Sequence, residues 1–227
     1  MSTPRLTVRA VLFDLDGTLV DSAPDLGHAA DLMRQRRGLP PLDEEYYRPR
    51  ASSGARGMIE AAFGVTPDHP EFEPLRREYL DTYGQVMLRC TRPFDGVPQL
   101  LEGLRRAGLS WGIVTNKVER FALPLTAALP DLAEAAVVIG GDSTPHAKPH
   151  PAPLLEAARR LGVPAQACVY VGDDERDIEA GRAAGMPTVA VRWGYLGVGA
   201  DVDAWGADAV IDAPLDLLNF LELAYTK

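Results

Sequence analysis

Two aspartates two residues apart, Asp14 and Asp16, follow the apolar run Val11-Leu12-Phe13 and precede Gly17-Thr18. Carboxylates crowded at the end of an apolar run repel each other and lose hydration, so they require a positive partner. Polar groups follow three more apolar runs. Thr115-Asn116 follows Trp111–Val114, and Lys148 lies beyond the GGDSTPHA stretch after Val137-Val138-Ile139. Asp173 and Asp177 come after Val169-Tyr170-Val171. Clustered carboxylate oxygens suit a hard cation, most simply Mg²⁺. Lys148 supplies a second positive charge.

The elements between these groups decide whether they meet. Ala10–Phe13 has the short apolar character of a strand buried on both faces. After Pro93-Phe94-Asp95-Gly96 the chain alternates. Helices are predicted over 97–106, 121–129, 153–161, 178–184 and 215–223, with strands over 111–114, 136–139, 169–171, 188–191 and 209–211. This alternation predicts an α/β fold, a Rossmann-like parallel sheet with helices on both faces. Ligands bind beyond the carboxyl ends of strands in such sheets, and all four polar groups fall there. Residues 23–90 differ in texture. Leu26, Ala29, Ala30 and Met33, then Leu75, Tyr79 and Leu80, recur at helical spacing, with Pro40-Pro41, Gly64 and Pro70 as punctuation. The expectation is an inserted all-helical cap domain over 23–90, hinged near Asp21–Pro24 and Leu88–Pro93. The catalytic core then comprises 1–22 and 91–227.

Composition narrows the function classes. The chain has 227 residues, long for one compact domain and short for two. A net charge of −9 argues against nucleic acid, which needs a clustered basic surface, and against an anionic membrane. It permits an anionic substrate at a locally positive site. No window approaches the roughly 18 uninterrupted apolar residues of a membrane span, and the N-terminus carries no leader-like apolar stretch. The two cysteines, Cys90 and Cys168, have no metal-binding spacing. A soluble, cytoplasmic protein is expected, monomeric or homodimeric. His146 and His150 are four apart, but Pro145, Pro149 and Pro151 argue against a helix that would pair them on a metal.

DLDGT at 14–18, TN at 115–116, Lys148 in KPHP and GDDERD at 172–177 resemble, in order, the four motifs of the haloacid dehalogenase-like phosphohydrolases. The resemblance spans nearly the whole chain. FDLDGTLVDSAPDL at 13–26, VTNK at 114–117, VIGGD at 138–142 and GRAAGMPTVAVRWGYLG at 181–197 are similar to phosphoglycolate phosphatases and their near relatives. The resemblance implies a Mg²⁺-dependent phosphomonoesterase acting on a small phosphorylated metabolite. Asp14 is then the nucleophile that forms an aspartyl-phosphate. Asp16 protonates the leaving alcohol, which requires it to carry a proton, and then activates water. Asp14, Asp173 and the Asp16 backbone carbonyl hold the metal. Thr115 and the Asn116 backbone bind phosphoryl oxygens, Lys148 neutralises charge, and Asp177 fixes Lys148 or a metal-bound water.

Taken singly, each motif has an ordinary reading. Asp-Gly is turn chemistry, Thr-Asn caps helices, and Asp173-Asp174 suits a helix start. Asp174 and Glu175 keep that role, and Trp193, Tyr195 and Trp205 read as packing anchors. In the cap, Ser53 and Arg56 are the candidate substrate-binding residues. There SSGARGMIEAAFG at 52–64 and GLPP at 38–41 are similar to relatives acting on N-acetylmuramic acid 6-phosphate. Phosphoglycolate and a sugar phosphate of this kind remain alternatives, with a phosphosugar mutase or a phosphoacceptor signalling domain behind them.

Overall fold

The computed structural model describes residues 8–225, so the expectations for residues 1–7 and 226–227 lie outside it. Strand β1 (Ala10–Phe13) is followed by a two-residue strand, β2 (Val20–Asp21). Four helices come next: α1 (Ala23–Arg36), α2 (Glu44–Tyr47), α3 (Gly54–Phe63) and α4 (Phe72–Val86). A 3-10 turn over Arg48–Ser53 leads into α3. The chain returns through β3 (Arg92–Pro93) and then alternates: α5 (Val97–Arg106), β4 (Ser110–Val114), α6 (Glu119–Ala128), β5 (Val138–Ile139), α7 (Ala152–Leu161) and β6 (Cys168–Gly172). It ends with α8 (Glu175–Ala183), β7 (Thr188–Val191), β8 (Ala209–Ile211) and α9 (Asp216–Tyr225).

Six strands form one parallel sheet in the order β5-β4-β1-β6-β7-β8. The first strand is therefore central, and the chain winds outward from it in both directions. This is the topological switch point at which α/β sheets bind ligands. Val11 and Phe13 pack into the apolar layer on one face of the sheet, while Ala10 and Leu12 pack into the layer on the other. Alternation along the strand thus explains an uninterrupted apolar run. Full burial of each large side chain contributes about 1.5–3 kcal/mol, which pins β1 in the middle of the sheet.

Register sets the site. Phe13 lies level with Ile113 on β4 and Val171 on β6. The next residues on the three strands therefore emerge side by side: Asp14, then Val114-Thr115, then Gly172-Asp173. The Asp14 amide still donates to the Val171 carbonyl at 2.9 Å.

Among the described residues no strand lies between Ala23 and Cys90. The helical insertion packs through contacts of α1 with α3 and α4. Its two crossings are paired by the antiparallel ribbon β2–β3, with Val20 opposite Pro93 and Asp21 opposite Arg92. The buried Asp25 carboxylate accepts from the amides of Cys90 and Thr91 and, at 2.7 Å, from the Thr91 hydroxyl. One side chain at the start of α1 thereby ties down the returning strand.

The expected strand over 136–139 shortens to Val138–Ile139 at the sheet edge. Helix α8 starts three residues earlier than its apolar spacing predicts, because Asp174 caps it and Asp177 bonds back to the Asp174 amide. His146 and His150 lie 4.3 Å apart between ring centroids, tilted by 35°, on a loop rather than a helix. No helix among the described residues is long and apolar enough to cross a membrane.

Candidate active site

Asp14 sits just past the central strand in a cavity of about 290 Å³. The cavity is lined from the sheet by Asp14, Asp16, Thr115, Asn116, Lys148, Asp173 and Asp177 and from the helical insertion by Ser53 and Arg56. All nine candidate residues therefore reach one space, although they span more than 160 positions of sequence.

Lys148 forms the centre of the cluster. Its ammonium donates to Asp14 Oδ1 at 2.7 Å, to Asp177 Oδ1 at 2.7 Å and to the Tyr170 phenol at 2.8 Å. Tyr170 in turn donates to the Val114 carbonyl at 2.8 Å. All three ammonium protons have acceptors, so the buried charge is fully satisfied. Burial works against that charge, but Asp14 and Asp177 outweigh it and hold the ammonium above its ordinary range. The loop carrying Lys148 is fixed by Asn116, whose side chain accepts from the Lys148 amide at 2.9 Å and donates to its carbonyl at 3.0 Å. Asn116 therefore places the lysine with its side chain. Thr115, almost fully buried, accepts from the Lys117 amide.

One lysine cannot balance three buried carboxylates. Asp14, Asp173 and Asp177 bring one oxygen each to within 4.8 Å of the others. Burial, offset by Lys148 and reinforced by Asp177, pushes Asp14 up to about 7. Burial, followed by the charges of Asp14 and Asp177, drives Asp173 well above the carboxylate range. Such oxygens ionise together only around a further cation, and an all-oxygen donor set is what a hard divalent ion takes. Asp173 is aimed by three donors or near neighbours. The Thr18 hydroxyl bonds to Oδ1 at 3.1 Å and the Tyr195 amide to Oδ2 at 2.7 Å. Gly17, at φ +88°, passes so close that a Cβ there would lie 2.2 Å from Asp173 Oδ2.

The Asp16 carboxylate lies apart from this trio. Ser22 Oγ donates to Oδ1 at 2.5 Å, and the Lys117 ammonium lies 3.0 Å from Oδ2. Lys117 is buried and sits 4.7 Å from the centroid of the Tyr83 ring on α4. Asp16 is thus gripped by a residue of the first crossing and by a core lysine roofed by the insertion. Lys117, Tyr170 and Ser22 are contacts the sequence reading assigned nothing. Lys117 closes VTNK at 114–117, and its place beside Thr115-Asn116 is the signal the sequence carries. Tyr195 packs as expected and also accepts at its hydroxyl from the amides of Ser22 and Ala23, at 2.7 and 2.9 Å. It so satisfies orphan donors at the start of α1. Arg176 forks onto Asp174 and donates to the Ser52 carbonyl at 2.6 Å, joining α8 to the insertion. Ser53 and Arg56 line the cavity, and Arg56 is exposed.

Comparison with known proteins agrees with this arrangement. The family model described as haloacid dehalogenase-like hydrolase matches residues 8–185. The chain is 46% identical over 220 residues to the N-acetylmuramic acid 6-phosphate phosphatase of Pseudomonas aeruginosa, covering 97% of each. It is 48% identical over 209 residues to the phosphoglycolate phosphatase of Xanthomonas campestris pv. campestris, covering 92% of this chain and 94% of that one. A crystal structure of a predicted phosphoglycolate phosphatase from Haemophilus somnus superposes with a TM-score of 0.82 at 28% identity, over 94% of this chain and 97% of the other. Sheet order, four motifs at adjacent strand ends and full-length similarity converge: the chain belongs to the haloacid dehalogenase-like hydrolases and is a phosphatase of that family.

Proposed function

We propose that this protein is a Mg²⁺-dependent phosphomonoesterase in which Asp14 accepts the phosphoryl group of a small phosphorylated metabolite. The observation that carries the reading is the Asp14 carboxylate at the end of the central strand, bonded to Lys148 and crowded by Asp173 and Asp177.

Asp14 attacks phosphorus with one carboxylate oxygen, and the bond to the ester oxygen breaks. The alcohol leaves with a proton from Asp16, whose orientation Ser22 and Lys117 hold. Asp16 then takes a proton from the water that attacks the aspartyl-phosphate, which frees phosphate and restores Asp14. Lys148 stays on Asp14 throughout and opposes the charge that gathers there. Thr115 and the Asn116 backbone receive phosphoryl oxygens, and Asp177 keeps Lys148 in place. Asp14, Asp173 and the Asp16 carbonyl would hold Mg²⁺, with Asp177 alongside, and the ion would polarise the phosphoryl group. Ser53 and Arg56 face the leaving group from the cap, assigned to 23–90 over a core of 1–22 and 91–227.

Phosphoglycolate is the leading substrate, from the relatives' names and the tail motif. The cavity favours adding a sugar phosphate, N-acetylmuramic acid 6-phosphate first, because about 290 Å³ is ample beside the phosphate itself.

The experiment is phosphate release with Mg²⁺ from a panel of phosphoglycolate, N-acetylmuramic acid 6-phosphate, hexose phosphates and nucleoside monophosphates. We expect kcat/KM of at least about 10⁴ M⁻¹s⁻¹ for one member and none in Asp14→Asn or in EDTA. Repeated turnover by Asp14→Asn would sink the mechanism. A single retained phosphate per chain would favour a signalling or mutase role.

A further inference from the structure

The core motifs read only a phosphate, and the cap wall of the same cavity carries cations that the reaction leaves unused. Five cationic side chains line the cavity. Three of them, Lys117, Lys148 and Arg176, are ion-paired to aspartates of the core motifs. The other two, Arg56 on α3 and Arg76 on α4, come from separate cap helices twenty residues apart. Arg56 has no ion-pair or hydrogen-bond partner among the described residues. Arg76 has only Glu73, at 3.6 Å, in a pair open to water that is worth little. Arg77, the next residue, is exposed and outside the cavity.

A second observation points the same way. Two buried side-chain polar atoms among the described residues lack a hydrogen-bond partner, Ser52 Oγ and the Tyr83 hydroxyl. Both residues line this cavity, and Tyr83 is only 2% exposed. The Lys117 ammonium lies over the Tyr83 ring and close to its hydroxyl, but the hydroxyl has no hydrogen bond of good geometry. A buried polar atom left without a partner costs about 1–3 kcal/mol, so two beside one cavity mark places for polar atoms of a ligand.

We infer that the cap wall is a leaving-group subsite for a hydroxylated organic acid: Arg56 and Arg76 take a carboxylate of the substrate, and Ser52 and Tyr83 take its hydroxyl or amide groups. The inference rests on the phosphomonoesterase reading and narrows it to phosphate esters that bear a second, carboxylic acid group. Two guanidinium forks suit a planar carboxylate. A neutral alcohol in its place leaves both uncompensated, and the discrimination belongs to the part of the substrate that departs.

The test uses matched esters that differ only in that group. One pair is phosphoglycolate and 2-hydroxyethyl phosphate; the other is gluconate 6-phosphate and sorbitol 6-phosphate. Wild type should favour the acid of at least one pair by about tenfold or more in kcat/KM. Arg56→Gln and Arg76→Gln should each reduce that ratio by about tenfold, mainly through KM, while Arg77→Gln keeps it. Tyr83→Phe should weaken the sugar pair more than the two-carbon pair. The same acid-over-alcohol ratio should appear as binding to Asp14→Asn, followed by melting temperature, which needs no turnover. A wild-type ratio near one in both pairs, or variants that lose acid and alcohol alike, overturns the subsite. Hydrolysis of p-nitrophenyl phosphate without an acid preference would leave the esterase standing and remove the subsite. A binding preference without any hydrolysis would do the reverse.

Discussion

Lys148 has little freedom, because three buried acceptors share its three protons. Lys148→Met should lower kcat by at least about 10²-fold and destabilise the fold by about 3–5 kcal/mol, since two buried carboxylates lose their partner. Denaturant unfolding and steady-state kinetics on one preparation check both. A variant as stable as wild type would contradict the ion cluster described above. Asp14 makes a pH prediction. Its folded value, about 7, lies above the 3.8 of an unperturbed carboxyl. The folded state thus holds the proton more tightly between these values, and the metal-free protein should lose stability as pH rises across that window. Asp173 shifts in the same direction. Mg²⁺ competes with those protons, so the rise in melting temperature on adding it should grow from pH 5 to pH 8. Equal rises at both values would contradict the linkage. The motif residues were legible in the sequence because Asp-x-Asp-Gly, Thr-Asn and Gly-Asp-Asp directly follow apolar runs and Lys-Pro follows one after a loop. Lys117, Tyr170 and Tyr195 were not, because a lysine after a turn and tyrosines in apolar runs have ordinary local roles. Their partners lie far away in sequence.

At the level of elements, the alternation of apolar runs gave the sheet and most of its helices. Two features escaped it. Strands β2 and β3 have two residues each, too few for any periodicity. Next to their pairing lies Asp25, which holds the chain just before β3 and whose carboxylate sits on a helix that reads as plainly amphipathic. Asp25→Ala leaves the amides of Cys90 and Thr91 without their acceptor in a buried setting. It should cost about 2–4 kcal/mol and open the second crossing. Trypsin should then cut faster after Arg89 in native buffer. Cleavage no faster than in wild type would show that the ribbon holds without this side chain. Helix α8 shows the opposite case. Its early start at Glu175 was announced by Asp174, three residues before Asp177, a cap signal that precedes the apolar spacing.

Across the whole molecule, the insertion and its first crossing touch the chemistry at three separate places. Tyr83 lies over Lys117, which pairs with Asp16. Ser22, in the first crossing, bonds to the same Asp16. Arg176 reaches from α8 to the Ser52 carbonyl. Of these only the last is a hydrogen bond from a core side chain to the insertion's main chain. Arg176→Ala should let the two parts separate, seen as a larger radius of gyration by small-angle scattering. Superimposable curves for the two proteins would deny that contact a closing role. The net charge of −9 coexists with this anion-binding cavity because the cations are gathered on its walls, which no total reveals.

Tyr195 has its main-chain N–H on Asp173 and its phenol oxygen on the amides that begin α1. A single residue thus holds one end of a carboxylate that would bind metal and the start of α1, the first helix of the insertion. Influence through such a joint runs both ways. If loading the ion alters the angle the cap prefers, then pinning the cap must alter the affinity for the ion by the same factor. A disulfide that locks the cap should shift the Mg²⁺ dissociation constant, and Tyr195→Phe, which keeps the N–H and removes the hydroxyl, should uncouple the two.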